Sequence, residues 1–274
     1  MANAKDITNA GLGKPKFLLV GSSGSGKTTQ ALTLPGKTFI YCFDPSVLSA
    51  IQGFDVEYEL FVPHVVNLGA QSLSKDKGDV RTASADAHEV YVKWERDYEQ
   101  REKDGYWKSI DNIVFDSATT FADIVMDRIL HLNGRGGRWP QQDDWTAQMS
   151  TIRNVFRTLT GQMGKVLICT AHDQLKQDEV TTRMTNQIIL TGQLRAKLPL
   201  LFSDIWKLSC ESTRDKVKYV AQTRPDFLNP TVRSSFRDLD MFYDITVGDW
   251  KNPTNYGIGK LLRDRGFYQQ VGVK

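Results

Sequence analysis

The octapeptide Gly21-Ser22-Ser23-Gly24-Ser25-Gly26-Lys27-Thr28 satisfies the pattern G-x-x-x-x-G-K-[ST] at every fixed position. Few short stretches constrain a fold so strongly, because each residue type has a task that works only in one setting. The glycines let the backbone curl until successive N–H groups converge on one phosphate chain. Lys27 reaches the β- and γ-phosphates, and the Thr28 hydroxyl suits the magnesium ion that bridges them. A helix opening at Lys27-Thr28-Thr29 adds the positive end of its dipole. The loop therefore requires a strand before it and a helix after it. Lys16-Phe17-Leu18-Leu19-Val20 is a short apolar run ending at the first glycine, and a helix-forming stretch follows until Leu34-Pro35-Gly36. The spacing predicts a nucleoside-triphosphate site.

The rest of the chain repeats the same alternation. Thr38–Phe43, Asp111–Asp116 and Lys165–Thr170 read as buried strands, and Val56–Val62 as an edge strand. Between them, Val90, Trp94 and Tyr98 mark one face of a helix from Asp86 to Lys103. Phe121, Val125, Ile129 and Leu132 mark a second, and Met149, Ile152, Val155, Phe156 and Leu159 a third. Gly69–Ser84 and Asn133–Arg138 read as polar loops. Strands alternating with helices give an α/β fold with a mainly parallel sheet covered on both faces. Asp204–Leu208 and Lys218–Thr223 extend it at the C-terminal side as an antiparallel pair. No repeat or linker divides the chain, so one domain over residues 1–274 is expected.

Composition narrows the function classes. A net charge of +3 permits nucleic acid without demanding it. No apolar run approaches the ~20 residues of a membrane span, and the N-terminus lacks the apolar core of a secretory signal. The cysteines, Cys42, Cys169 and Cys210, sit in or at the ends of strands without C-x-x-C spacing. They read as buried apolar residues of a cytoplasmic protein rather than a zinc or disulfide framework.

Three polar residues arrive at the carboxyl ends of the strands, where open parallel sheets bind ligands: Asp44, Asp116 and His172. Asp116 ends an apolar strand and is the expected second magnesium group beside Thr28. The next residue is Ser117 rather than a second carboxylate, which leaves Asp44 as the foremost candidate to activate water, with Glu57 and Glu59 more distant. Asp44 is equally suited to cap a following helix. His172 is placed to sense the γ-phosphate, or to bond its neighbours at the strand end.

The order of phosphate loop, Asp44, Asp116 and then Leu167-Ile168-Cys169-Thr170-Ala171-His172 leading into the polar segment Gln174–Thr191 resembles the RecA-like P-loop ATPase core over roughly Lys14 to Thr223. The compact size resembles phage-encoded members, which include single-strand annealing recombinases. The resemblance implies ATP and Mg²⁺ at the loop, with Gly21 to Thr29 as the nucleotide cradle. It implies single-stranded DNA on the segment after His172, an assembly of further copies as a ring or filament, and a single-strand binding protein as partner. Lys176, Arg183, Arg195 and Lys197 become the candidates for DNA phosphates. Arg135 and Arg138 beside Trp139 form a second candidate pair, and Arg224 a candidate arginine finger toward a neighbouring subunit. Two other classes stay open: a small-molecule kinase with Gly134–Arg138 as its lid, and a nucleotide-switched loader or assembly factor with slow hydrolysis.

Overall fold

The computed structural model describes residues 13–63, 87–136, 138–162, 164–177, 182–214 and 216–268. The polar loop expected at Gly69–Ser84 lies outside them. The strands are β1 (Lys16–Val20), β2 (Thr38–Cys42), β3 (Glu57–Leu60), β4 (Asn112–Asp116), β5 (Val166–Ala171), β6 (Asp173–Gln177), β7 (Met184–Ile188), β8 (Asp204–Ser212), β9 (Val217–Gln222) and β10 (Phe242–Asp244). The helices are α1 (Lys27–Ala31), α2 (Val47–Ile51), α3 (Ala87–Lys103), α4 (Ala118–Leu132), α5 (Gln142–Thr160), α6 (Leu194–Lys197) and α7 (Gly257–Asp264).

One eight-stranded sheet runs in the order β10-β9-β8-β1-β5-β4-β2-β3. Every pairing from β8 to β3 is parallel, while β9 joins β8, and β10 joins β9, antiparallel. This is the mainly parallel, helix-covered α/β sheet that the sequence led us to expect, antiparallel extension included. Period-2 alternation divides the side chains between two cores. Leu18, Phe39, Tyr41, Phe115 and Cys169 face one side, where Trp94, Phe121, Ile152 and Phe156 of α3, α4 and α5 pack on them. Phe17, Leu19, Ile40, Val114 and Ile168 face the other, against Ala31, Val47, Ile51 and the Ile258, Leu261 and Leu262 stripe of α7. Because the parallel strands share a direction, β1, β2, β4 and β5 all deliver their carboxyl ends to one edge.

Several expectations change. The α-helix after the loop ends at Ala31, short of Pro35. Its next three N–H groups bond three residues back instead of four (Leu32 to Thr29, Thr33 to Gln30, Leu34 to Ala31). The tightened turn aims the side chains of Gln30 and Thr33 at α7, whose Ile258 and Gly259 N–H groups donate to Gln30 Oε1 (3.1 Å) and Thr33 Oγ1 (3.0 Å). Most of the polar segment after His172 is not an open loop but the antiparallel hairpin β6–β7. Cys42 and Cys169 are buried, but Cys210 is exposed because β8 runs past the body of the sheet. Leu132, at the end of α4, is 64% exposed rather than part of its buried face. Among the described residues no helix is long and apolar enough to cross a membrane.

Candidate nucleotide site

The phosphate loop leaves β1 and turns into α1 within a space that tolerates no side chain at its first residue. A Cβ on Gly21 would come within 2.5 Å of Ser25 Oγ and 2.7 Å of the Leu208 carbonyl oxygen. At the far end Gly26 caps α1 with φ of 85°, in the left-handed region that favours glycine. The loop lines a cleft of about 270 Å³ with Thr28, Thr29, Asp44, Ser46, Val47, Ala50, Asp116, His172 and Tyr219.

Lys27 is buried and donates to the carbonyls of Gly21 and Ser22, both at 2.8 Å. Burial pushes its ammonium below the usual lysine range, against the pull of Asp116 and Asp173. An anionic ligand would relieve that cost, since desolvated positive charge gains most from a partner. The buried Ser25 hydroxyl has no hydrogen-bond partner among the described residues. A cradle that a Cβ would fill, an orphaned hydroxyl and an under-compensated ammonium together fit a phosphate chain.

Two hydroxyls flank Asp116. Thr28 Oγ1 donates to one carboxylate oxygen and Thr170 Oγ1 to the other, each at 2.5 Å. The register that pairs Phe115 with Cys169 brings Thr170 alongside Asp116. Burial raises the Asp116 carboxyl above its ordinary range, while the hydroxyls of Thr170 and Thr28 and the charge of Lys27 oppose the rise. The Asp116–Ser117 peptide is cis. Among the described residues no cluster of three or more His, Cys, Asp or Glu side chains could hold a metal on its own. A hydroxyl beside one carboxylate, completed by phosphate oxygens and water, is a donor set that fits magnesium.

Asp44 sits across the cleft and accepts from Ser117 Oγ at 2.9 Å and Thr120 Oγ1 at 2.6 Å. Ser117 is itself the N-cap of α4, accepting from the Thr120 N–H. The Asp44 side chain therefore does not cap α2, whose N-cap is Ser46 with no side-chain cap; the start of α4 orients it instead. Glu57 and Glu59 lie on the edge strand β3, paired with Lys37 (2.6 Å) and Arg101 (3.4 Å). His172 lines the cleft, its N–H bonded to Thr119 Oγ1 at 3.0 Å and its carbonyl to the Ile189 N–H at 2.8 Å. It stands where β5 passes into the hairpin.

The basic candidates fall into two groups. Lys176 and Arg183 are exposed on the hairpin, and Arg183 donates to the Phe227 carbonyl at 2.9 Å. Arg195 and Lys197 lie on α6, where Arg195 reaches back to Gln187 of β7 at 3.1 Å. Arg135 is clamped by the fully buried Asp144 and by Asp143, at 2.5 and 3.0 Å, which fastens the glycine-rich loop to the start of α5. Arg224 Nη2 donates to the carbonyls of Phe236 (2.9 Å) and Arg237 (2.7 Å), so its guanidinium holds its own chain together.

Sequence reasoning missed Thr170, Ser117, Thr120, Tyr219 and the half-buried Asp173–Lys207 pair at 2.5 Å. A hydroxyl near the carboxyl end of the strand Val166–Ala171 was a signal for Thr170. Lys207 and Tyr219 needed the register of β8 and β9, which no local pattern supplies.

No curated protein matches the chain. Among solved structures, a KaiC-like protein from the hyperthermophilic archaeon Pyrococcus horikoshii is 13% identical, with 88% of each chain covered and a TM-score of 0.43. The flagellar accessory protein FlaH from Methanocaldococcus jannaschii is 11% identical over 86% of this chain and 87% of that one, with a TM-score of 0.39. A family model described as an AAA domain matches residues 13–231, and the chain belongs to that family of P-loop ATPases.

Proposed function

We propose that the protein is a magnesium-dependent ATPase that acts on single-stranded DNA, in recombination or strand annealing of the kind phages encode, as an assembly of several copies. Thr28 and Asp116 would hold the magnesium ion, which neutralises charge on the β- and γ-phosphates when bound. Lys27 supplies fixed positive charge to the same oxygens. Asp44, oriented by Ser117 and Thr120, is placed to accept a proton from an attacking water.

The observation that supports a DNA role is the exit from the cleft. β5 carries Thr170 against Asp116 and then passes through His172 and Asp173 straight into the β6–β7 hairpin. Asp173 is tied to Lys207, and both act on the charge of Lys27. An element bearing Lys176 and Arg183 is thus one residue from the phosphate site. The kinase reading loses support, because Arg135 of the would-be lid is pinned by Asp144. The switched-assembly reading keeps one observation: Ser117, the neighbour of Asp116, is spent on capping α4.

Fluorescence anisotropy on a labelled oligonucleotide tests the proposal. Binding should strengthen with ATP and fall with salt at a log–log slope of about −0.7 per neutralised phosphate. Replacing Arg183, Arg195 and Lys197 together should flatten that slope and leave ATP affinity intact. Absence of binding at low salt, with and without ATP, would refute it.

A further inference from the structure

The phosphate site has a direction across the sheet. Thr28 and Asp116, the pair suited to magnesium, lie on the β4 side of β1, with β5 between. A magnesium ion held by this pair would lie at the β,γ-phosphate end of a nucleotide, so the other end would point away from β4. On that opposite side stand β8 and β9, in mirror position to β5 and β4. β1 ends at Val20, opposite Lys207, whereas β8 continues to Ser212, and its stretch Lys207–Ser212 pairs with β9 from Gln222 to Val217. The two strands therefore rise as a wall beside the loop.

Tyr219 is on that wall, opposite Cys210. Its ring lies against the turn into α1: a Cβ on Gly26 would sit 3.0, 3.5 and 3.6 Å from Cδ1, Cγ and Cε1. Its backbone is held from the other flank as well. The N–H donates to Thr246 Oγ1 at 2.9 Å, and the carbonyl accepts from the Ile245 N–H at 3.0 Å. The ring is half-buried and lines the same cleft as Thr28 and Thr29. The remaining lining groups are small, hydroxylic, aliphatic or charged, apart from His172 at the start of the hairpin.

We propose that Tyr219 is the base platform of this site: the nucleobase of the bound triphosphate stacks on its ring while the loop holds the phosphates. The proposal rests on the nucleoside-triphosphate reading of the loop. A π face presents no hydrogen-bond code, so adenine and guanine stack on it alike. Stacking on an aromatic ring changes affinity by about 5- to 150-fold.

Calorimetric titration of ATP, GTP and inorganic tripolyphosphate, each with magnesium, into the parent protein and three variants tests this. Tyr219→Phe should keep ATP affinity within about twofold. Tyr219→Leu and Tyr219→Ala should each weaken ATP and GTP by about fivefold or more and leave tripolyphosphate within about twofold. The leucine variant keeps apolar bulk against Gly26 and so separates stacking from packing of the loop. ATP affinity retained in Tyr219→Leu, or equal losses for ATP and tripolyphosphate, would overturn the proposal. A parent protein that binds neither ATP nor tripolyphosphate would instead fail the triphosphate reading, and this proposal with it.

Discussion

Replacing Thr170 by valine removes one hydroxyl and leaves the shape of the side chain nearly unchanged. In the structure that hydroxyl is fully buried and donates to Asp116 Oδ1 at 2.5 Å. Asp116 is only 4% exposed, so water cannot take over the vacated bond. A hydrogen bond to a charged group contributes about 1.5–3 kcal/mol, and the loss falls on the ionised carboxylate alone. Burial already raises this carboxyl, and the variant would raise it further. The ionised form that magnesium requires should therefore become harder to reach by about 10- to 150-fold. The assay is ATP turnover against magnesium concentration at saturating ATP. Thr170→Val should need about tenfold more magnesium or beyond, with ATP binding in EDTA held within about twofold. Thr170→Ser, which restores the donor, should return the parent curve. A valine variant with parental magnesium dependence would refute the argument and leave Thr170 as a packing residue.

Three further perturbations bear on other parts of the molecule. A Cβ on Gly259 would fall 1.6 Å from the Thr33 carbonyl oxygen, a backbone atom that no rotamer moves. Gly259→Ala should displace α7 from α1 at a cost of about 3 kcal/mol. That corresponds to a fall in Tm of about 6–12 °C, and a loss under about 2 °C in calorimetry would show the contact is relieved. Burial pushes the Lys16 ammonium down from 10.5 to about 8, so between those values the unfolded chain binds the extra proton. The Lys16 contribution to stability should therefore rise with pH from about 8 to 10.5. Denaturant titrations of the parent minus Lys16→Met should show that rise, and a flat difference would contradict it. Asp44→Asn should lower turnover by about 10²-fold or more with little change in ATP affinity. A change within about twofold would reduce Asp44 to an anchor for Ser117 and Thr120.

The sequence made the centre of the fold legible because there local signals and tertiary demands coincide. β1, β2, β4 and β5 are mainly apolar runs, as strands buried on both faces must be, and the polar residues at or just past the ends of the last three, Asp44, Asp116 and His172, reach the cleft. Legibility fails where contacts distant in sequence decide the outcome. Gly257 and Gly259 argue against a helix at α7, yet both are needed for its close approach to Gln30 and Thr33. The hairpin β6–β7 carries mostly polar side chains, so it shows no apolar alternation. It is fixed instead through Asn186, whose N–H donates to the Leu228 carbonyl at 2.8 Å. Arg135 and Arg224 looked available as cations, but their partners, Asp144 and the carbonyls around Phe236, are set by loop geometry that composition does not encode.

The most direct test of a DNA-directed ATPase is the turnover of magnesium-ATP with and without a single-stranded oligonucleotide, in the parent protein and in Lys27→Ala. The expected result is turnover that the oligonucleotide accelerates several-fold and that Lys27→Ala abolishes in both conditions. Turnover indifferent to single-stranded DNA at low salt, yet still lost in Lys27→Ala, would keep the nucleotide site and contradict the DNA role.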